Sequence, residues 1–116
     1  MTPEKNKAIV KKYFEMWNTG NTSLADEVLS LSYIDYSHPE IKETESVRQS
    51  VIKIRGAYPD FHITLETMIC EGDIVAVMGN ISRTQEGEKV IFNIMWFVTL
   101  ANEKMTALRT GIVSSK

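Results

Sequence analysis

At Phe61 the hydrophobic period of this chain changes. Before that point apolar residues recur at three- and four-residue spacing, and after it they alternate with polar ones to the end of the sequence. Few architectures accommodate both periods in 116 residues. The order of the two halves predicts an α+β fold. Helices gather at the amino end and pack on a curved antiparallel meander of about four long strands, joined by one short strand. Linkers, internal repeats and low-complexity segments are absent, so residues 1–116 read as a single domain.

The helical half divides at its punctuation. Thr2-Pro3-Glu4 offers a capping oxygen, a proline suited to a first turn and an acid near the positive end of the helix dipole. Ile9, Tyr13, Phe14, Met16 and Trp17 then form one apolar face of a helix of about 16 residues, which Asn18-Thr19-Gly20-Asn21 ends. A shorter helix is expected from Thr22 or Ser23, with Leu24, Val28 and Leu29 on its buried side. Ser32 to Tyr36 reads as a short strand that Ser37-His38-Pro39 stops, and Thr44 to Arg55 as a third helix with Val47, Val51, Ile54 and Tyr58 on one stripe.

In the alternating half, Phe61, Ile63, Leu65 and Ile69 are expected on one face and His62, Thr64, Glu66 and Met68 on the other. Turns at Glu71-Gly72-Asp73, Gln85 to Glu88 and Ala101-Asn102-Glu103 separate this strand from those at Ile74–Arg83, Val90–Leu100 and Lys104–Val113. The third of the four is apolar on both sides, with Phe92, Ile94, Trp96 and Val98 facing one way and Ile91, Met95 and Phe97 the other. Both faces are therefore expected to be covered.

Charge and composition narrow the function. Thirteen basic and fifteen acidic residues leave a net charge of −2, which gives no general attraction for nucleic acid or an anionic membrane. The run Lys5, Lys7, Lys11 and Lys12 is interleaved with Glu4 and Glu15, the pattern of a solvated helix face. No apolar run approaches the roughly 18 residues of a bilayer span. The charged amino terminus lacks the features of a signal peptide, and Cys70 is the single cysteine, so a cytoplasmic protein is expected. Spaced cysteines or histidines for zinc, a glycine-rich phosphate loop, a nucleophile elbow and a carboxylate cluster for a hard metal ion are all missing. The sequence therefore predicts no metal and no cofactor.

The candidate site residues each admit two readings. Alternation puts Asp35 with Tyr33, opposite Ile34 and Tyr36. In an apolar hollow its carboxyl would be a base able to take a proton from a carbon beside a carbonyl; otherwise it ends the strand and accepts backbone N–H groups of the following turn. His38 is a mouth-lining proton-transfer group or an exposed turn residue. Tyr13, Trp17 and Trp96 form either an aromatic cage for a flat ligand or ordinary core. His62 falls on the surface side of its strand. Arg109 projects outward with Asn93, Met95 and Phe97, a mixed surface suited to a dimer contact.

The stretches Tyr13-Phe14-Glu15-Met16-Trp17-Asn18-Thr19-Gly20-Asn21, Ala25-Asp26-Glu27-Val28-Leu29, Tyr33-Ile34-Asp35 and Tyr58-Pro59-Asp60-Phe61-His62 resemble the SnoaL-like polyketide cyclase family, part of the nuclear transport factor 2-like superfamily. The resemblance implies a cystatin-like cone whose helices close one end of the curved sheet around an apolar cavity, and a homodimer formed through the outer sheet face. It also implies a general acid/base on the last strand and a positioning histidine on the strand before. In this chain those places hold Thr110 and Trp96, neither of which can take a proton near neutral pH. The segment after Gly87 lacks the family's proline- and glycine-containing insert. Two functions stay open. One is a cofactor-free cyclase or isomerase acting on a small cyclic or polyketide-like compound, with Asp35 as base, Tyr36 or His38 assisting, and Tyr13, Trp17, Trp96 and Thr110 around the ligand. The other is a non-catalytic ligand-binding or dimerisation module.

Overall fold

Thr2 caps the first helix as its sequence predicts, its Oγ1 accepting the Lys5 N–H at 3.2 Å, and Gly20 ends it in the left-handed conformation at φ 78°. In the computed structural model, which describes residues 2–115, this helix is α1 (Pro3–Thr19). It is followed by α2 (Leu24–Val28), β1 (Leu29–Asp35), α3 (Thr44–Ala57), β2 (His62–Glu71), β3 (Ile74–Gln85), β4 (Glu88–Ala101) and β5 (Lys104–Ser115). One sheet holds all five strands in the order β1-β5-β4-β3-β2. β2 to β5 form the expected antiparallel meander, and β1 runs parallel to β5, a partner its own sequence does not disclose.

The helices cover the concave face. Val10, Phe14 and Met16 of α1, Ala25 and Val28 of α2 and Val47 and Val51 of α3 join Val75, Val77, Val98, Leu100 and Met105 in one buried cluster. β1 begins three residues earlier than the sequence suggests, so Leu29 is buried as a strand residue and not as part of α2. Asn6 ties α1 to the β2–β3 turn, its Nδ2 donating to the Gly72 carbonyl at 3.2 Å.

Two expectations need correction. Leu65 pairs with Gly79 and Thr67 with Met78, so Glu66 is an extra residue in β2. This bulge reverses the alternation: Ile69 emerges 61% exposed, while Met68 and Cys70 pack partly against the core. Gly79 permits the approach, because a Cβ there would lie 2.1 Å from the Thr64 carbonyl oxygen. Secondly, only one face of β4 is covered within the chain. Ile94, Trp96, Val98 and Leu100 are buried, whereas Met95 and Phe97 remain 36% and 48% exposed on the convex side.

Candidate functional site

Between the helices and the far half of the sheet lies a cavity of about 630 Å³. β4 supplies much of its floor through Phe92, Ile94 and Trp96, and α1 one wall through Tyr13, Phe14 and Trp17. These residues are held by their own contacts: Phe14 meets Trp96 edge to face at a centroid distance of 4.8 Å, and Tyr13 meets Trp17 at 6.4 Å. Burial pushes the Tyr13 phenol up to about 12, so it stays neutral and can donate a hydrogen bond at physiological pH. Tyr33 is wholly buried behind this wall.

Asp35 lies in the cavity wall at the end of β1, with only 7% of its surface exposed. The two oxygens of its carboxyl have different surroundings. Oδ1 accepts the backbone N–H groups of Ser37 at 3.0 Å and His38 at 3.2 Å, as a strand-ending aspartate does. Oδ2 is 3.7 Å from the His38 Nδ1. Burial raises the carboxyl above its ordinary range, and the turn N–H groups together with His38 partly offset that rise. His38 is largely exposed and lines the cavity beside Asp35. A buried carboxylate base backed by a solvent-facing imidazole can accept a proton from a bound carbon acid and pass it on.

Thr110 also lines the cavity. A single hydroxyl holds it: the Ser37 Oγ accepts the Thr110 N–H at 2.8 Å and donates to the Thr110 carbonyl at 3.0 Å, fastening the loop after β1 to β5. Ser37 carried no signal in the sequence beyond its place in a turn. Tyr36 is the expected site residue that the structure places elsewhere. One position past β1, it is thrown to the convex side, 52% exposed, with the Arg109 guanidinium 4.2 Å from its ring centre. His62 is exposed at the start of β2. Other lining groups went unnoticed in the sequence, among them Ile41, Ile54, Lys53 and Arg83. Among the described residues, no three His, Cys, Asp or Glu side chains come together as a metal cage.

This architecture is shared with solved structures at low sequence identity, a likeness that shows the fold alone. TsrD from Streptomyces laurentii superposes with a TM-score of 0.85 at 14% identity, covering 97% of this chain and 91% of that one. A protein provisionally assigned as a polyketide cyclase from Bacillus cereus gives 0.84 at 18%, covering 94% and 74%. Another, provisionally assigned as a SnoaL-like polyketide cyclase from a Jannaschia species, gives 0.81 at 18%, covering 96% and 87%. No curated protein matches the sequence. The SnoaL-like domain matches residues 10–108, from the first buried valine of α1 to the β5 leucine paired with Asp35, and the chain therefore belongs to the SnoaL-like domain family, on a nuclear transport factor 2-like fold.

Proposed function

We propose that this protein binds a small cyclic, polyketide-like molecule in its cavity and that Asp35 acts on it as a cofactor-independent base, in a cyclase or isomerase type of reaction. The observation that carries the reading is a nearly covered carboxylate in the wall of an aromatic-lined cavity, its affinity for protons raised by burial. In the reaction, the Asp35 carboxylate takes a proton from a carbon beside a ring carbonyl. The C–H electron pair moves into an enolate, and the proton returns to carbon at the same or another position, with His38 at the rim as exchange partner. Tyr13, Trp17, Trp96 and Thr110 surround the ligand. The direct test is deuterium incorporation from heavy water into small cyclic ketones, followed by NMR. Asp35→Asn is expected to slow exchange by a factor of roughly 100 or more. Equal exchange in both proteins removes Asp35 from the chemistry.

Trp96 and Thr110 favour a second reading, because they make two of the cavity's surfaces unreactive. In a non-catalytic module the ligand is held and not converted. Ligand-induced thermal stabilisation would then be the same in wild type and Asp35→Asn, with no deuterium exchange in either.

A homodimer through the convex sheet face belongs to this proposal. Ile69, Ala76, Phe97 and Arg109 stand in one cross-strand row and Thr67, Met78, Met95 and Gly111 in the next, and neither row is covered within the chain. The unpaired Cys70 suits a reducing compartment such as the cytoplasm. No helix among the described residues is long and apolar enough to cross a membrane.

A further inference from the structure

Arg83 is a cation built into the wall of an otherwise largely apolar cavity. Its guanidinium lies 4.2 Å from the centre of the Tyr58 ring and 5.2 Å from that of Phe92, so both rings hold it in place. Nε donates to the Gln85 Oε1 at 3.3 Å, and the two Nη groups have no protein partner among the described residues. No carboxylate among those residues lies within ion-pair distance of Arg83, although Asp60 nearby takes Lys89 as its cation and Glu40 stands on the cavity rim. A half-buried guanidinium held in place, with its outer edge unused, is preorganised to bind a planar oxyanion through two parallel N–H···O bonds. Lys53 also lines the cavity and adds positive charge without that geometry.

The sheet register sets the distance from Asp35. Asp35 pairs with Leu108, and Leu108 with Val98, at one end of the β4 floor. Arg83 pairs with Val90 at the other. The apolar side chains of Trp96, Ile94 and Phe92 lie between these ends. A ligand matching all three features has a flat ring system over the floor, a carbon acid near Asp35 and an anionic group at the opposite end.

We infer that the cavity takes an aromatic or polycyclic carboxylic acid whose carboxylate is bound by the Arg83 guanidinium. The inference rests on the cavity being a ligand site, and names the substrate class for it. A single negative charge matches the one guanidinium, and a planar carboxylate matches its fork.

The test compares 2-naphthoate, 2-naphthamide and 2-naphthyl phosphate by isothermal titration calorimetry at low ionic strength. Wild type is expected to bind the acid at least tenfold more tightly than the amide. Arg83→Gln is expected to bind acid and amide equally, the acid losing at least tenfold in affinity, and Arg83→Lys to retain part of the preference. Equal binding of acid and amide by wild type overturns the inference and leaves the cavity reading intact, and so does an Arg83→Gln protein that keeps the preference. Tighter binding of the phosphate than of the acid overturns the carboxylate assignment. Binding of none of the three overturns the cavity reading itself, and the inference with it. Should Arg83→Gln fail to fold, the wild-type comparison and Arg83→Lys decide the question.

Discussion

The side-chain amide of Asn18 holds the backbone of Ile63 on both its polar groups: Nδ2 donates to the Ile63 carbonyl at 2.8 Å, and Oδ1 accepts the Ile63 N–H at 2.7 Å. β2 is one of the two edge strands of the sheet, and at this point the end of α1 does what a sixth strand would do. Arg55 reinforces the junction from α3, its Nη1 donating to the carbonyls of Trp17 at 3.0 Å and Phe61 at 3.3 Å. Asn18→Ala removes both bonds and leaves a partly buried N–H and C=O without partners, so a loss of about 2 to 3 kcal/mol is expected in urea denaturation. A loss below about 0.5 kcal/mol would mean that solvent replaces the amide at no cost.

The pH dependence of stability carries the signature of Asp35. Its carboxyl is raised from the ordinary 3.8 by burial, so the folded protein holds that proton more tightly than the unfolded chain. The contribution is fully present below the unfolded value and is lost as pH rises through the folded one. Asparagine keeps the Oδ1 acceptor for the turn and carries no charge. The melting temperature of Asp35→Asn relative to wild type is therefore expected to improve as pH rises from about 4 through the raised folded-state value. A difference independent of pH would show that the carboxylate is solvated as well in the fold as outside it.

Gly79 lies close against the backbone of β2 at Thr64 and Leu65. Alanine there would set its Cβ against the Thr64 carbonyl oxygen, which is part of the strand and cannot rotate away. A loss of about 3 kcal/mol is expected for Gly79→Ala, read from thermal or denaturant unfolding. A variant of native stability would show that the bulge can shift to make room.

Phe97 lies at the centre of the exposed convex surface, beside Ala76 on β3 and Arg109 on β5. Phe97→Lys places a charge where a second copy would have to pack. Sedimentation is expected to report a dimer for wild type and a monomer for the variant at micromolar concentration. A wild-type monomer would leave this face to another partner.

Much of this architecture was legible because it follows from local chemistry. The change of period at Phe61, the Thr2 and Gly20 caps and the three tight turns are written in neighbouring residues, and all appear in the fold. Asp35 and Tyr33 share a face for the same reason. What stayed hidden depends on register between distant segments. The bulge at Glu66 is set by where β3 lies, the parallel docking of β1 by β5, and the stacking of Arg83 by the approach of Tyr58 from the end of α3. Tyr36 is not at the cavity, since the alternation that turns Asp35 inward turns Tyr36 out.

The extra residue in β2 also limits how this strand can change length. Deleting Glu66 would make Leu65 and Thr67 consecutive, restore simple alternation and leave Met68 and Cys70 inward and Ile69 outward, because the pairing on both sides of the bulge is already in register. Single insertions or deletions between Thr67 and the Gly72 turn, by contrast, shift the pairing on one side of the change and reverse its sidedness, whereas paired ones preserve it. Drift in this segment should therefore proceed by steps of two residues, with odd steps surviving only where a bulge is gained or lost to cancel them.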